Sequence, residues 1–478
     1  MSRNEGTDIF DVVIIGGGFS GLMALHHLVR TGSSGSLFAI VEPDENLGHG
    51  LAYCTANPRH LLNVPAGNMS ALPDQPDHFV KWLLSENGHK ASNAIGIDRA
   101  WQSGDYVPRC LYAGYLDDIA LETYHVAKIR GIIVRHLRQK AADIEQSHSS
   151  GLYRVELEDE HTLQSRTILL ATGNLSANDT GRIPDLVTDP WRYDYTSIHN
   201  ESGTVAVIGT GLTMVDTALS LREAGFAGKI LAVSRRGLLP EVHHDTPAVN
   251  KAPSFSPAAA PEKLIPLMQF LRGEAKSYLS NQIVWQRVFD RWRPHVAAVW
   301  GKLDTDDRNR FFDRLFTLWN IHRHRMAPEV GAFVDRELAT GGLKILKGNV
   351  QVLPSEDGFC LTVGEQQHVV KKVFDCRGTC YDVSLSGNRL IQNLYRKGLI
   401  QQHETGWGIK ISGDLQVMPS GLDGSFLTIG AAMIGARLET TAVPELRQQA
   451  QKAAFALADV FSEGSEGLGR EANAYARK

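Results

Sequence analysis

The first forty residues switch between two hydrophobic periods. Asp11-Val12-Val13-Ile14-Ile15 is a β-branched run that reads as a strand buried on both faces. It ends in Gly16-Gly17-Gly18-Phe19-Ser20-Gly21. The period then changes, and Leu22, Met23, Leu25, Leu28 and Val29 make the apolar stripe of a helix. Leu37 to Val41 predicts a second strand, closed by Glu42. Ile132 to Arg135 predicts another. Three alternating segments follow, Ala141 to Ile144, Tyr153 to Leu157 and Thr167 to Leu170, and the last runs into Ala171-Thr172-Gly173.

Near residue 203 the pattern restarts. Thr204 to Ile208 reads as a strand, Gly209-Thr210-Gly211 as a turn, Leu212 to Arg222 as a helix and Ile230 to Val233 as the next strand. An internal repeat of one strand–turn–helix–strand unit is the main organisational signal. Pro253 to Pro261 reads as a loop, and Glu262 to about Leu338 as helical and rich in Trp, Phe and Leu. Val369 to Phe374 then predicts a closing strand, Leu427 to Ile429 a further one ending at Gly430, and Pro444 to Phe461 a helix. The expected division is 1–196, then 197–379 with a helical insertion at about 253–340, then a return segment, 380–478.

The turns carry the chemistry. Gly16, Gly18 and Gly21 form G-x-G-x-x-G between a buried strand and an amphipathic helix, with an acid ending the second strand. In that setting Gly16 permits the tight turn, Gly18 lets a pyrophosphate approach the backbone and Gly21 lets helix and strand pack closely. The helix N-terminus offers N–H groups and positive dipole to the phosphates. Glu42 suits the two ribose hydroxyls of a dinucleotide. In the second unit Gly209 and Gly211 match, but Met214 takes the third small position and should hold the helix away from the strand. Arg235 and Arg236 replace the acid, which suits the 2′-phosphate of NADPH. A solvated basic pair is the alternative, which leaves NADH open.

Other candidates carry two readings each. Cys54 is a small buried hydrophobe or a lone redox thiol. The run Trp319-Asn320-Ile321-His322-Arg323-His324-Arg325 is a solvated or acid-paired basic helix, or part of a cofactor or substrate site. His322 and His324 are two apart, a spacing that disfavours a shared metal. His243 and His244 have the same two readings.

Composition narrows the partners. The 478 residues are 43% hydrophobic and 21% charged, with a net charge of −4, which gives no reason to expect nucleic acid or an anionic membrane. No apolar run nears the ~18 residues of a membrane span. The N-terminus has no basic stretch followed by an apolar core, so the expected location is cytoplasmic. The five cysteines are scattered, without a C-x-x-C pair, which argues against a disulfide framework or a local redox relay.

Several local signatures together resemble the FAD/NAD(P)-binding proteins related to class B flavin monooxygenases. They are His60-Leu61-Leu62-Asn63-Val64-Pro65 with Met69-Ser70-Ala71, and Pro108-Arg109 with Tyr112 and Tyr115. They continue as Gly209-Thr210-Gly211-Leu212-Thr213-Met214-Val215-Asp216, Ser234-Arg235-Arg236-Gly237, His322 to Arg325, and Glu439-Thr440-Thr441-Ala442-Val443-Pro444-Glu445. The resemblance implies an α/β, glutathione-reductase-like fold of two Rossmann-type domains, and Met214 is usual within it. It places FAD on Gly16, Gly18, Phe19, Ser20, Gly21, Glu42, Asn63, Gly173, Gly430, Thr441 and Ala442, and the nicotinamide cofactor on Gly209, Gly211, Arg235 and Arg236. The flavin ring would lie near His60 to Met69. The helix after Ala442 would point its N-terminus at the ring, and Thr440, Thr441 and Pro444 make a good helix start. The implied activity is monooxygenation of a small molecule with NAD(P)H and O₂ through a flavin C4a-hydroperoxide. The specific substrate it suggests is urate, in purine catabolism, with Arg109, His322 and His324 as candidates to bind the anion. The alternatives are an amine or amino-acid N-hydroxylase, a non-oxygenating reductase or oxidase, and a flavin-binding sensor.

Overall fold

A computed structural model describes residues 8–147, 149–175, 186–244, 259–280, 284–413, 415–419 and 426–458. Residues 253–258 of the expected Pro/Ala/Ser loop, and 459–461 of the expected last helix, lie outside these.

The strands in chain order are β1 Ile9–Ile15, β2 Leu37–Val41, β3 Ile133–Leu137, β4 Ala141–Gln146, β5 Tyr153–Leu157, β6 Thr162–Leu170, β7 Thr204–Ile208, β8 Lys229–Ser234, β9 Leu343–Lys347, β10 Val350–Ser355, β11 Gly358–Val363, β12 Gln366–Val370, β13 Lys372–Asp375 and β14 Phe426–Thr428. The first sheet runs β3-β2-β1-β6-β5-β4. Its β1, β2, β3 and β6 are parallel. The long β6 has two partners on its far edge. Its first residues pair antiparallel with β5, and Ile168 to Leu170 pair parallel with β14 of the return segment. Val12, Val13 and Ile14 are fully buried, as expected of a parallel strand covered on both faces.

The second sheet, β13-β7-β8-β9, is parallel throughout. The α/β class and the pair of dinucleotide units match the expectation from the pattern. A three-stranded antiparallel sheet, β10-β11-β12, was not foreseen. Its edge strands expose apolar residues such as Leu353 and Val369, so their alternation carried no clear inward face.

Within 264–323 the insertion folds as the helices Leu264–Ser280, Gln286–Trp292, Val296–Lys302, Thr305–Arg310 and Phe316–Arg323. The helix Pro328–Thr340, which the sequence grouped with them, instead covers the second sheet: Val330, Phe333 and Val334 share its core with Met214. The insertion packs on the return segment. Phe312 stacks on Trp407 with ring centroids 4.2 Å apart, and the Trp300 indole N–H donates to the Gly435 carbonyl at 2.9 Å.

Candidate active site

In both units the first glycine is fixed by the protein. Gly16 has φ +102°, and a Cβ there would lie 2.4 Å from the Ala171 carbonyl oxygen. Gly209 has φ +112°, and a Cβ would lie 2.2 Å from the Cys376 oxygen. Gly21 is fixed as well, since a Cβ would lie 1.9 Å from the Gly16 oxygen. The corresponding Met214 is fully buried between helix and sheet.

The second glycines differ in kind. A Cβ on Gly18 would meet nothing nearer than Gly50 Cα at 3.5 Å, and one on Gly211 would meet nothing within 4 Å. Both residues cap a helix, Phe19–Thr31 and Leu212–Glu223, with no side chain to bond its first N–H groups. Packing does not demand glycine at either place. Close approach of a pyrophosphate to the backbone would demand it, so both cradles fit a dinucleotide. A further sign lies beside Gly16: Thr172 Oγ1 is buried with no protein partner. Gly173 follows it at φ +67° with open space around it.

Glu42 is held by the glycine turn it faces. Its carboxylate accepts from Gly17 N–H at 2.7 Å and from Asp44 N–H at 3.2 Å, which fixes it at the end of β2. In the second unit Arg235 is exposed. Arg236 reaches instead toward the insertion, donating to the Arg314 and Asp313 carbonyls at 3.3 and 3.4 Å. Of the two arginines, Arg235 is therefore the one open to a phosphate.

The segment expected near the flavin ring meets the second unit. His243 Nε2–H donates to the Asn63 carbonyl at 3.0 Å, and burial beside Arg325 pulls its pKa down to about 4. Behind it, His60 Nε2 lies 3.0 Å from the Asp216 carbonyl and 2.9 Å from Ser220 Oγ, while Thr55 Oγ1 lies 2.8 Å from its Nδ1. Burial keeps His60 below the usual imidazole pKa despite the nearby Asp216 carboxylate. Arg109 pairs with that carboxylate at 3.0 Å, donates Nε–H to the Leu61 carbonyl and lies over the Trp191 ring. Three signatures far apart in the chain thus converge as His60, Arg109 and Asp216. The tyrosines of the second signature are structural: Tyr112 is fully buried, and the Tyr115 hydroxyl accepts from Ala71 N–H.

The last signature is explained by two ion pairs. Glu439 receives both arms of Arg323, at 3.0 and 2.9 Å, in a buried pair. Glu445 receives both arms of Arg293, at 2.6 and 2.8 Å. Thr440 Oγ1 donates to the Gly430 carbonyl. Together they hold the segment from Gly430 to Ala442 and the helix at 443–458, in which Ala442 accepts the first backbone bonds from Glu445 and Leu446. Sequence reasoning quoted these glutamates without a role. A basic run spaced far from an acidic pair gives no local signal of their meeting.

The three substrate candidates do not form one anion site. Arg109 is committed to Asp216. His322 lies in the wall of a cavity within the insertion. His324 is half-buried and surrounded by Arg323, Arg293 and Arg325; burial first, then those charges, lower its pKa to about 3, so it is neutral. Cys54 donates to the Leu51 carbonyl, and burial raises its thiol pKa. All five cysteines are free.

Residues 13–175 match the model of a family described as FAD-NAD(P)-binding, which gives FAD and a nicotinamide dinucleotide as the cofactor classes. No curated protein sequence matches the chain. Among solved structures it is similar to an ornithine N-hydroxylase from Kutzneria sp. 744, with TM-score 0.62, 15% identity and coverage of 94% of this chain and 99% of that one. It is also similar to a cadaverine monooxygenase from Erwinia amylovora bound to FAD, with TM-score 0.61, 12% identity and coverage of 94% and 95%. A bacillithiol disulfide reductase from Bacillus cereus matches with TM-score 0.50, 14% identity and coverage of 95% and 99%. At these identities the likeness is one of fold. Residues 13–175 thus match an FAD-NAD(P)-binding model, in a chain that shares its fold with these hydroxylase, monooxygenase and disulfide reductase structures.

Proposed function

We propose that the protein is an FAD-dependent monooxygenase that draws its electrons from NAD(P)H. The observation that carries this reading is the pair of dinucleotide cradles, each with a second glycine that packing does not require. FAD, when bound, supplies the electron-accepting and oxygen-activating chemistry. The chain's own residues bind and orient. Gly18 and the N-terminus of Phe19–Thr31 receive one pyrophosphate, with Glu42 on the ribose. Gly211 and the N-terminus of Leu212–Glu223 receive the other, and Arg235 favours a 2′-phosphate. The network of His60, Arg109 and Asp216 fixes one unit against the other, and hydride transfer depends on that alignment. The clamps on Glu439 and Glu445 hold the helix at 443–458 where its N-terminal dipole would favour negative charge on a reduced ring.

A thiol relay finds no support. Cys54 has a raised pKa and no partner thiol among the described residues, where a redox cysteine needs a low one. For the substrate, urate in purine catabolism remains the finer reading from the sequence, but the commitment of Arg109 and the neutrality of His324 leave it fewer cations than expected. Hydroxylation of a neutral amine or amino-acid nitrogen is the alternative, supported by the fold shared with the ornithine N-hydroxylase and the cadaverine monooxygenase.

The test is NAD(P)H oxidation by the FAD-loaded protein with and without candidate substrates, with peroxide and oxygen measured together. Substrate-stimulated oxidation that consumes O₂ without releasing peroxide supports the proposal. Efficient reduction of a quinone or disulfide, with no substrate able to stimulate O₂ uptake, overturns it.

A further inference from the structure

The helical insertion forms a cavity of about 470 Å³, open on one side to solvent and lined by residues other than those of the dinucleotide cradles. Leu264, Leu267 and Leu271 lie on one stripe of the helix Leu264–Ser280, at the spacing that normally seals a core. Here the stripe packs in the core of the insertion and also lines the cavity, together with Trp285, Trp292, Trp300 and Trp319 from the other helices. The pocket opens to solvent, so its apolar walls face water, and an apolar ligand seated there would remove that surface from water. An engineered cavity of about 150 Å³ admits one benzene ring, and this one is about three times larger.

Two lining residues carry polar side chains besides the indoles. Arg272 is exposed, so its charge is solvated. His322 packs against Trp285 and Phe289, with ring centroids 4.9 and 5.8 Å away. Its Nδ1–H donates to the Leu318 carbonyl at 2.7 Å. In the neutral ring that leaves Nε2 as an acceptor only.

We propose that this cavity is a binding site for an apolar aromatic molecule of two or three rings that carries a single O–H or N–H donor. The aromatic walls suit ring stacking and edge contacts, the volume suits that size, and His322 Nε2 receives the one donor. The walls offer no carboxylate to an ammonium group, and the one cation among them, Arg272, is exposed. The site stands whatever reaction the flavin performs.

The probes are 1-naphthol and naphthalene, titrated into the FAD-loaded protein and followed by tryptophan fluorescence and melting temperature. 1-Naphthol should quench saturably, raise Tm and bind several-fold tighter than naphthalene, and Trp319→Phe should remove part of the quenching. The cavity-filling pair Leu267→Phe with Val299→Phe should weaken binding by about tenfold or more while FAD content stays at one per chain. If that pair fails to fold, His322→Phe serves in its place and should make the two probes bind equally. Absence of saturable binding up to the solubility limit overturns the proposal. So does a filled variant that binds like the parent, or equal affinity for the two probes in the parent.

Discussion

Asp216→Asn removes one charge from the contact between the two dinucleotide units and keeps the shape. The Arg109 and Asp216 side chains are 12% and 8% exposed, so the charge left behind on Arg109 stays buried. Breaking one side of a buried ion pair costs about 3–5 kcal/mol. Arg109 keeps its bond to the Leu61 carbonyl and its place over Trp191, 5.1 Å from the ring centroid, which puts the expected loss near the lower end, about 3 kcal/mol. For a cooperative unit of 150–250 residues that lowers Tm by roughly 6–12 °C. Because the pair spans the two units, anaerobic reduction of bound FAD by NADPH should slow well beyond any change in FAD content. The double variant Arg109→Met with Asp216→Leu removes both charges, and should be more stable than either single change, with a coupling of about 1–3 kcal/mol. The assays are denaturant unfolding of the FAD-loaded protein and rapid-mixing reduction. If Asp216→Asn stays within about 0.5 kcal/mol of the parent, or the double variant loses the sum of the singles, the pair is not the latch described.

Gly18→Val should abolish FAD binding while far-UV circular dichroism and overall folding are retained, because the backbone there is at φ −66° and packing leaves room; stoichiometric flavin in the variant would refute the placement. Arg235→Ala should raise the NADPH KM by about tenfold or more, from a charge-assisted contact of about 1.5–3 kcal/mol, with little change for NADH; Arg236→Ala should do less, and equal effects would show that the structure misassigns the pair. Cys54→Ser should leave turnover within a few-fold, whereas a loss of orders of magnitude with FAD still bound would favour a thiol mechanism. His243 has a folded pKa of about 4 against 6.5 unfolded, so it contributes stability that is complete above pH 6.5 and lost as pH falls toward 4. His243→Gln should therefore flatten the fall of stability across that window by about one proton, or about 1.4 kcal/mol per pH unit, in denaturant midpoints measured against pH; an unchanged slope would refute it.

The parts of the fold whose physics is local were legible in the chain. Val12 to Ile14 are buried on both faces, so they read as an unbroken apolar run. Gly16 needs a positive φ and Gly21 a close approach, so each is legible as a glycine at a set distance from a strand. Glu42 was legible because it ends the strand beside that turn, and the repeat at Thr204 to Ser234 because it reuses the same unit. Tertiary structure decided what depends on distant partners. Arg109 was a candidate anion ligand until folding set it against Asp216, and the basic run ending at Arg325 stood open between a solvated, an acid-paired and a site role until Arg323 met Glu439 and burial neutralised His324. The segment from Glu262 read only as helical and rich in Trp, Phe and Leu, and the arrangement of its helices decided that Leu264, Leu267 and Leu271 line a cavity. Hydrophobic periodicity records which side of an element leaves water; it holds no record of which charge, ring or empty space waits on that side.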